Sequence, residues 1–152
     1  MANGIFNISK GRIAYYASLP ATNDALILVL LKATGLEADD TLNNYDDLAA
    51  LLTAANDECD FTNYTRKTLA SVTVTVDDTN NRVDIDCADV VYTAAGGAAN
   101  NSVGKAIVVY DPDTTTGTDS TLVPVAYFDA VFTTDGTDQT IQIDSAGLMR
   151  AA

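Results

Sequence analysis

A chain of 152 residues with 21 acidic and 8 basic side chains, a formal charge of −13 and no histidine is long enough to bury a core in one domain without staples. The charge sets it against nucleic acid and anionic membranes, where binding depends on Lys and Arg displacing counterions. The missing histidine removes Ser-His-Asp and Cys-His nucleophile systems and the commonest transition-metal ligand, and with tryptophan also missing the expectation is a non-enzymatic protein.

Only Glu37 and Glu58 among the acids are glutamates; aspartate prefers turns and strand ends, which points to loop-rich β structure. The start of the chain shows no charged segment followed by an apolar run and a cleavage site, so assembly in the cytoplasm is expected. Residues 4–18, GIFNISKGRIAYYAS, place Ile5, Ile8, Ile13, Tyr15 and Tyr16 in an imperfect period of two, predicting one or two strands with a turn at Lys10-Gly11. The run ALILVLL at 25–31 is far short of the roughly 20 residues of a membrane span, and Ile27, Val29 and its brevity favour a strand. One amphipathic helix is predicted near residues 44–57. Asn44 would cap it, Asp46 and Asp47 would sit in its first turn, and Tyr45, Leu48, Leu51, Leu52 and Ala55 would share a face.

Cys59 and Cys87 lie 28 positions apart without a CxxC spacing, so both are expected as free thiols. Arg66 and Lys67 then put a quarter of the positive charge into adjacent positions. In a strand starting near Thr65, Arg66 and Thr68 point to one side, Lys67 and Leu69 to the other. Two readings follow. Arg66 pairs with a nearby acid such as Asp60 or Asp89 and ties the helical region to the sheet, or Tyr64, Arg66 and Lys67 meet an acidic patch on a neighbouring protein copy.

LASVTVTVDD, the turn DDTNN and RVDIDC read as a β-hairpin. Asp84 and Asp86 share one strand face, solvated or able to hold a cation. Further strands separated by Gly, Asn, Asp and Thr loops bring the fold expectation to a mainly β (α+β) single domain over 1–152. Its form would be an antiparallel β-sandwich or jelly-roll-like domain, with residues 1–6 and 147–152 available as short arms. Pro124 cannot donate to a ladder and marks an edge or bulge. In DPDTTTGTD, Asp111, Asp113, Thr115 and Asp119 alternate as oxygen ligands for calcium would. The glycine nevertheless falls at the seventh position and no Glu closes the loop, so a solvated turn is the rival reading. No other cofactor is implied.

The order YTRKTL after a short helix, VTVDDTNNRVDID with Ala88-Asp89, VVYDP, LVPVAYFDAVFTTDGTD and the close GLMRAA with Gly147 and Arg150 resembles small structural proteins from the head and tail modules of tailed bacteriophages. The likeness spans roughly residues 40–150. It implies a non-enzymatic virion component, a capsid decoration or cement protein on the capsid surface, β-rich and trimeric at local threefold axes, whose partners are the major capsid protein and further copies of itself. Arg150 joins the interface residues on this reading, and no catalytic residue comes with it. The alternative is a tail, baseplate or fibre-associated module binding another tail protein or a host surface glycan.

Overall fold

The computed structural model describes residues 3–152. In chain order they form β1 (Gly4–Ile5), a 3-10 turn (Asn7–Ser9), α1 (Ile13–Ala17), β2 (Ala25–Lys32), α2 (Asp39–Leu42), α3 (Leu48–Thr53), β3 (Lys67–Thr68) and β4 (Thr73–Asp77). These are followed by β5 (Arg82–Asp86), β6 (Val90–Tyr92), β7 (Ser102–Asp111), β8 (Val123–Thr133), β9 (Gln139–Ile141) and β10 (Met149–Ala151). The strands pair antiparallel in a five-stranded sheet of order β1-β8-β7-β2-β3, a three-stranded sheet β10-β5-β4 and the pair β6-β9. The chain is therefore mainly β with a few short helices, as its composition suggested.

The continuous apolar run of β2 has a structural meaning. Alternate side chains of a strand point to opposite faces, and here both faces are covered. Leu26, Leu28 and Leu30, with Ala106, Val108 and Tyr110 of the neighbouring β7, enter a core shared with Ile85, Val90, Tyr92, Ile141 and Met149 of the two smaller sheets. Val29 and Leu31, with Ile107 and Val109, enter a second core closed by Phe6, Leu42, Leu48, Leu51 and Leu122. The large sheet is thus the middle layer, with small sheets on one face and α2, α3 and the Phe6 segment on the other. Burying a Leu or Val side chain contributes roughly 1.5–3 kcal/mol before entropy is counted, so a central strand buried on both sides anchors the whole.

The helical region departs from expectation in two places. Residues 13–17 form α1, because Ile13, Tyr16 and Ala17 fall at helical spacing and are buried together while Tyr15 stays exposed. Tyr16 then stacks on Tyr110 with ring centroids 4.7 Å apart. The single helix expected near 44–57 is shorter, covering Leu48–Thr53, and a separate turn, α2, precedes it. Its cap is Asp47, whose backbone is extended and whose Oδ1 accepts from the Ala50 N–H at 2.7 Å. Asn44 instead donates to the Asp40 carbonyl. An aspartate competing for the backbone in this way starts a helix and cannot continue one.

The segments expected as arms are strands of this chain's own sheets. Gly4–Ile5 pairs with Ala126–Tyr127, and Phe6 is fully buried edge-on to Tyr127, 5.4 Å between centroids. Met1 and Ala2 lie outside the described residues. At the other end Met149–Ala151 pairs with Val83–Ile85, and Met149 is buried. Pro124 marks a bulge: the register passes from Val108↔Ala126 to Val109↔Pro124, leaving Val125 as the extra residue. The Val125 carbonyl accepts from Phe6 N–H, and that of Pro124 from the Ser9 hydroxyl.

Candidate functional site

β3 hydrogen-bonds to β2 in the register Leu28↔Lys67; Arg66 immediately precedes it, and the two adjacent cations meet different partners. Arg66 Nε and Nη2 donate to the two oxygens of Glu58 at 2.8 and 2.7 Å, while Nη1 and Nη2 reach Asp119, the latter at 3.0 Å. Glu58 also accepts from the Tyr64 hydroxyl at 2.8 Å, which in turn accepts from the Leu30 N–H. One guanidinium therefore joins the segment after α3, the strand β2 and the loop before β8. Hydrogen bonding from Arg66 holds the Asp119 carboxyl below the usual carboxylate range, and the two carboxylates raise the guanidinium further. Burial, and then the Glu58 charge, push the Tyr64 phenol up, so it stays neutral. Lys67 places Nζ 5.3 Å from the centroid of Tyr92.

The intramolecular reading of Arg66 has its geometry, although neither anticipated acid is the partner. Asp60 bonds Lys32 at 3.0 Å, and Asp89 accepts from the Ile143 N–H at 2.8 Å. The side chain of Arg66 keeps 28% exposure, which leaves it a rim for further contact. Arg150 sits opposite Asp84 in the β10–β5 register and bonds it at 2.6 Å. Arg82 takes the other oxygen of Asp84 at 2.9 Å and Asp77 at 3.2 Å. Asp84 is thereby held below the usual carboxylate range, chiefly by Arg150, in a charged ladder on the outer face of the small sheet.

The aspartates of the calcium reading do not converge on one centre. Asp111 accepts from the Asp113 N–H at 3.0 Å, Asp113 accepts from the Thr115 and Thr116 hydroxyls, and Asp119 is taken by Arg66. Among the described residues no group of three or more His, Cys, Asp or Glu could hold a metal ion. Both cysteines are buried thiols.

Lys105, in the middle of β7, was not singled out from sequence. Its side chain is 4% exposed and bonds Asp39 at 2.8 Å and Asp129 at 2.7 Å, with Nζ 4.9 Å from the Tyr127 ring centroid. Burial disfavours its charge, but the hydrogen bonds it donates to Asp129 and Asp39 outweigh that and hold it above the ordinary lysine value. A lone lysine in an otherwise apolar strand was the available signal.

The large apolar side chains that remain accessible lie largely on strands. Val74, Val76, Val91 and Val131 are exposed, the last by 82%. A groove of about 560 Å³ runs between β8 and the β9 and β10 edges, with Ile5, Phe128, Phe132, Ile141, Leu148 and Met149 among its walls. No helix among the described residues is long and apolar enough to cross a membrane. No protein-family model, curated protein or solved structure matches the chain.

Proposed function

We propose that this chain is a non-enzymatic virion structural protein of a tailed bacteriophage, a capsid decoration or cement protein that binds the assembled head and self-associates. The observation that carries the reading is the distribution of chemistry. The cations Arg66, Arg82, Lys105 and Arg150 are committed to ion pairs that join separate elements, and accessible apolar side chains sit on strands, as suits a contact surface. A rigid, acidic block that stays soluble at high copy number and binds only the assembled lattice would stabilise the shell by mass action. The exposed rims of Arg66, Lys67 and Arg150 are then available to the capsid protein. Tyr15 is the one exposed aromatic ring among the described residues, a poor platform for the glycan-binding alternative.

Cosedimentation with heads and with tails, purified separately from the virus that carries the gene, tests the reading. Saturable binding to expanded heads and none to tails is expected. Binding to tails alone would replace it with the tail-module reading, and binding to neither would remove both.

A further inference from the structure

We propose that β4 is a self-pairing edge, through which two copies of this chain join antiparallel about a twofold axis at Thr75. β4 is the outer strand of β10-β5-β4, and the residues Thr73 to Val76 are exposed on both faces. Exposed strand edges are ordinarily guarded by Lys, Pro, a bulge or a covering loop. This edge has none of the first three within it: the sequence is Thr-Val-Thr-Val-Asp, and its pairing with β5 is regular throughout.

Three observations select a second copy as the occupant. The first is charge. Two copies of a chain at −13 repel across most of their surfaces, yet Thr73 to Val76 carries no charge and Asp77 is already paired with Arg82 at 3.2 Å. The second is self-complementarity. Antiparallel pairing centred on Thr75 sets Val74 against the partner's Val76, Val76 against the partner's Val74, and Thr73 against the partner's Asp77, so apolar meets apolar on one face and hydroxyl meets carboxylate on the other. The third is continuity. Val74, Ile85 and Met149 form one cross-strand row and Val76, Val83 and Ala151 the next. Ile85 and Met149 are buried, whereas the outer members Val74 and Val76 are 37% and 67% exposed. A partner strand extends both rows into a six-stranded sheet, covering the side chains that the body leaves open. Because the contact is isologous, it closes at two copies.

The test is sedimentation equilibrium of the full chain between about 1 and 300 µM, the range in which a small interface associates. A concentration-dependent dimer is expected. Val74→Lys and Val76→Asp should each weaken it at least about tenfold, since either places a charge opposite a valine. An equimolar mixture of the two variants should regain a heterodimer, because the register sets the introduced lysine against the introduced aspartate and leaves one Val–Val pair intact. Far-UV circular dichroism establishes that both variants fold. A monomeric wild type, an assembly indifferent to both substitutions, or a mixture that stays monomeric would overturn the proposal. Head binding is measured separately, so its loss or persistence bears on the virion reading alone.

Discussion

Replacing Arg66 by alanine separates its two roles. The side chain makes four N–H···O contacts to Glu58 and Asp119, with Arg66 28%, Glu58 20% and Asp119 40% exposed. Exposed pairs contribute about 0–1 kcal/mol and removal of one partner of a buried pair costs about 3–5 kcal/mol. This half-buried fork lies between, and a loss of about 2–3 kcal/mol is expected. At roughly 2–4 °C per kcal/mol for a domain of this size, the melting temperature falls by about 4–12 °C. Arg66→Lys keeps the charge but not the fork and should recover less than half of the loss. The acid side has a definite sign. Asp119 titrates below its unfolded value, so its contribution is full above the ordinary carboxylate range and disappears as pH falls through the folded pKa. The alanine variant should therefore show a shallower loss of stability on acidification. Urea melts at neutral pH and at two acidic values measure both effects. Wild-type stability and an unchanged acid slope in Arg66→Ala, with lost capsid binding, would refute the clamp and make Arg66 an interface residue.

Lys105→Ala removes the cation that Asp39 and Asp129 share; both carboxylates keep about a quarter of their exposure, so a loss near 3 kcal/mol, the lower end for broken buried pairs, is expected in thermal melts. Asp47→Ala removes the side-chain acceptor of the Ala50 N–H and should cost about 1 kcal/mol in urea. Burial raises Cys59 to about 12 and Cys87 to about 11. Native protein should thus react with a thiol reagent at pH 8 only at the rate of unfolding, and rapid labelling would contradict the burial. Since the folded values lie above the unfolded one, this contribution to stability is complete below about pH 8.5 and is lost as pH rises toward them.

Much of the β architecture was legible because it rests on local signals. Alternating Val and Thr around DDTNN specify the β4–β5 hairpin, and Pro124 announces a bulge. Residues 13–17 were not legible as a helix, since five residues containing Ile13, Tyr15 and Tyr16 satisfy a period of two as well as one of 3.6, and only burial against Tyr110 decides. The apolar run of β2 revealed a strand but not the second core on its far face, because that core is assembled from Phe6, Leu42, Leu48 and Leu122, scattered along the chain. The clamp was half legible. An Arg in so acidic a chain implies a pair, but Asp119 stands 53 positions away, and no local pattern could select it over Asp60 or Asp89.

The same geometry explains how so acidic a chain folds and what it leaves for others. Arg66, Arg82 and Lys105 each bridge two carboxylates, and Lys32 and Arg150 reach one each, the latter sharing Asp84 with Arg82. Each bridge joins residues from separate elements or adjacent strands, so the scarce cations act where self-repulsion would otherwise open the fold. A cation bonded to two acids cannot also neutralise a third, and the remaining aspartates lie mainly in turns, where they accept from neighbouring N–H and hydroxyl groups, as Asp113 and Asp135 do. Hydrogen bonding of this kind holds both below the usual carboxylate range, so they stay ionised and the outer field stays negative. Beside the exposed rims of Arg66, Lys67 and Arg150, a surface of that sign suits a basic face that matches the acids, or offers a neutral strip from which charge has been cleared. The stretch Thr73 to Val76 is such a strip, which is why the self-contact belongs there while a cationic lattice would engage the loops.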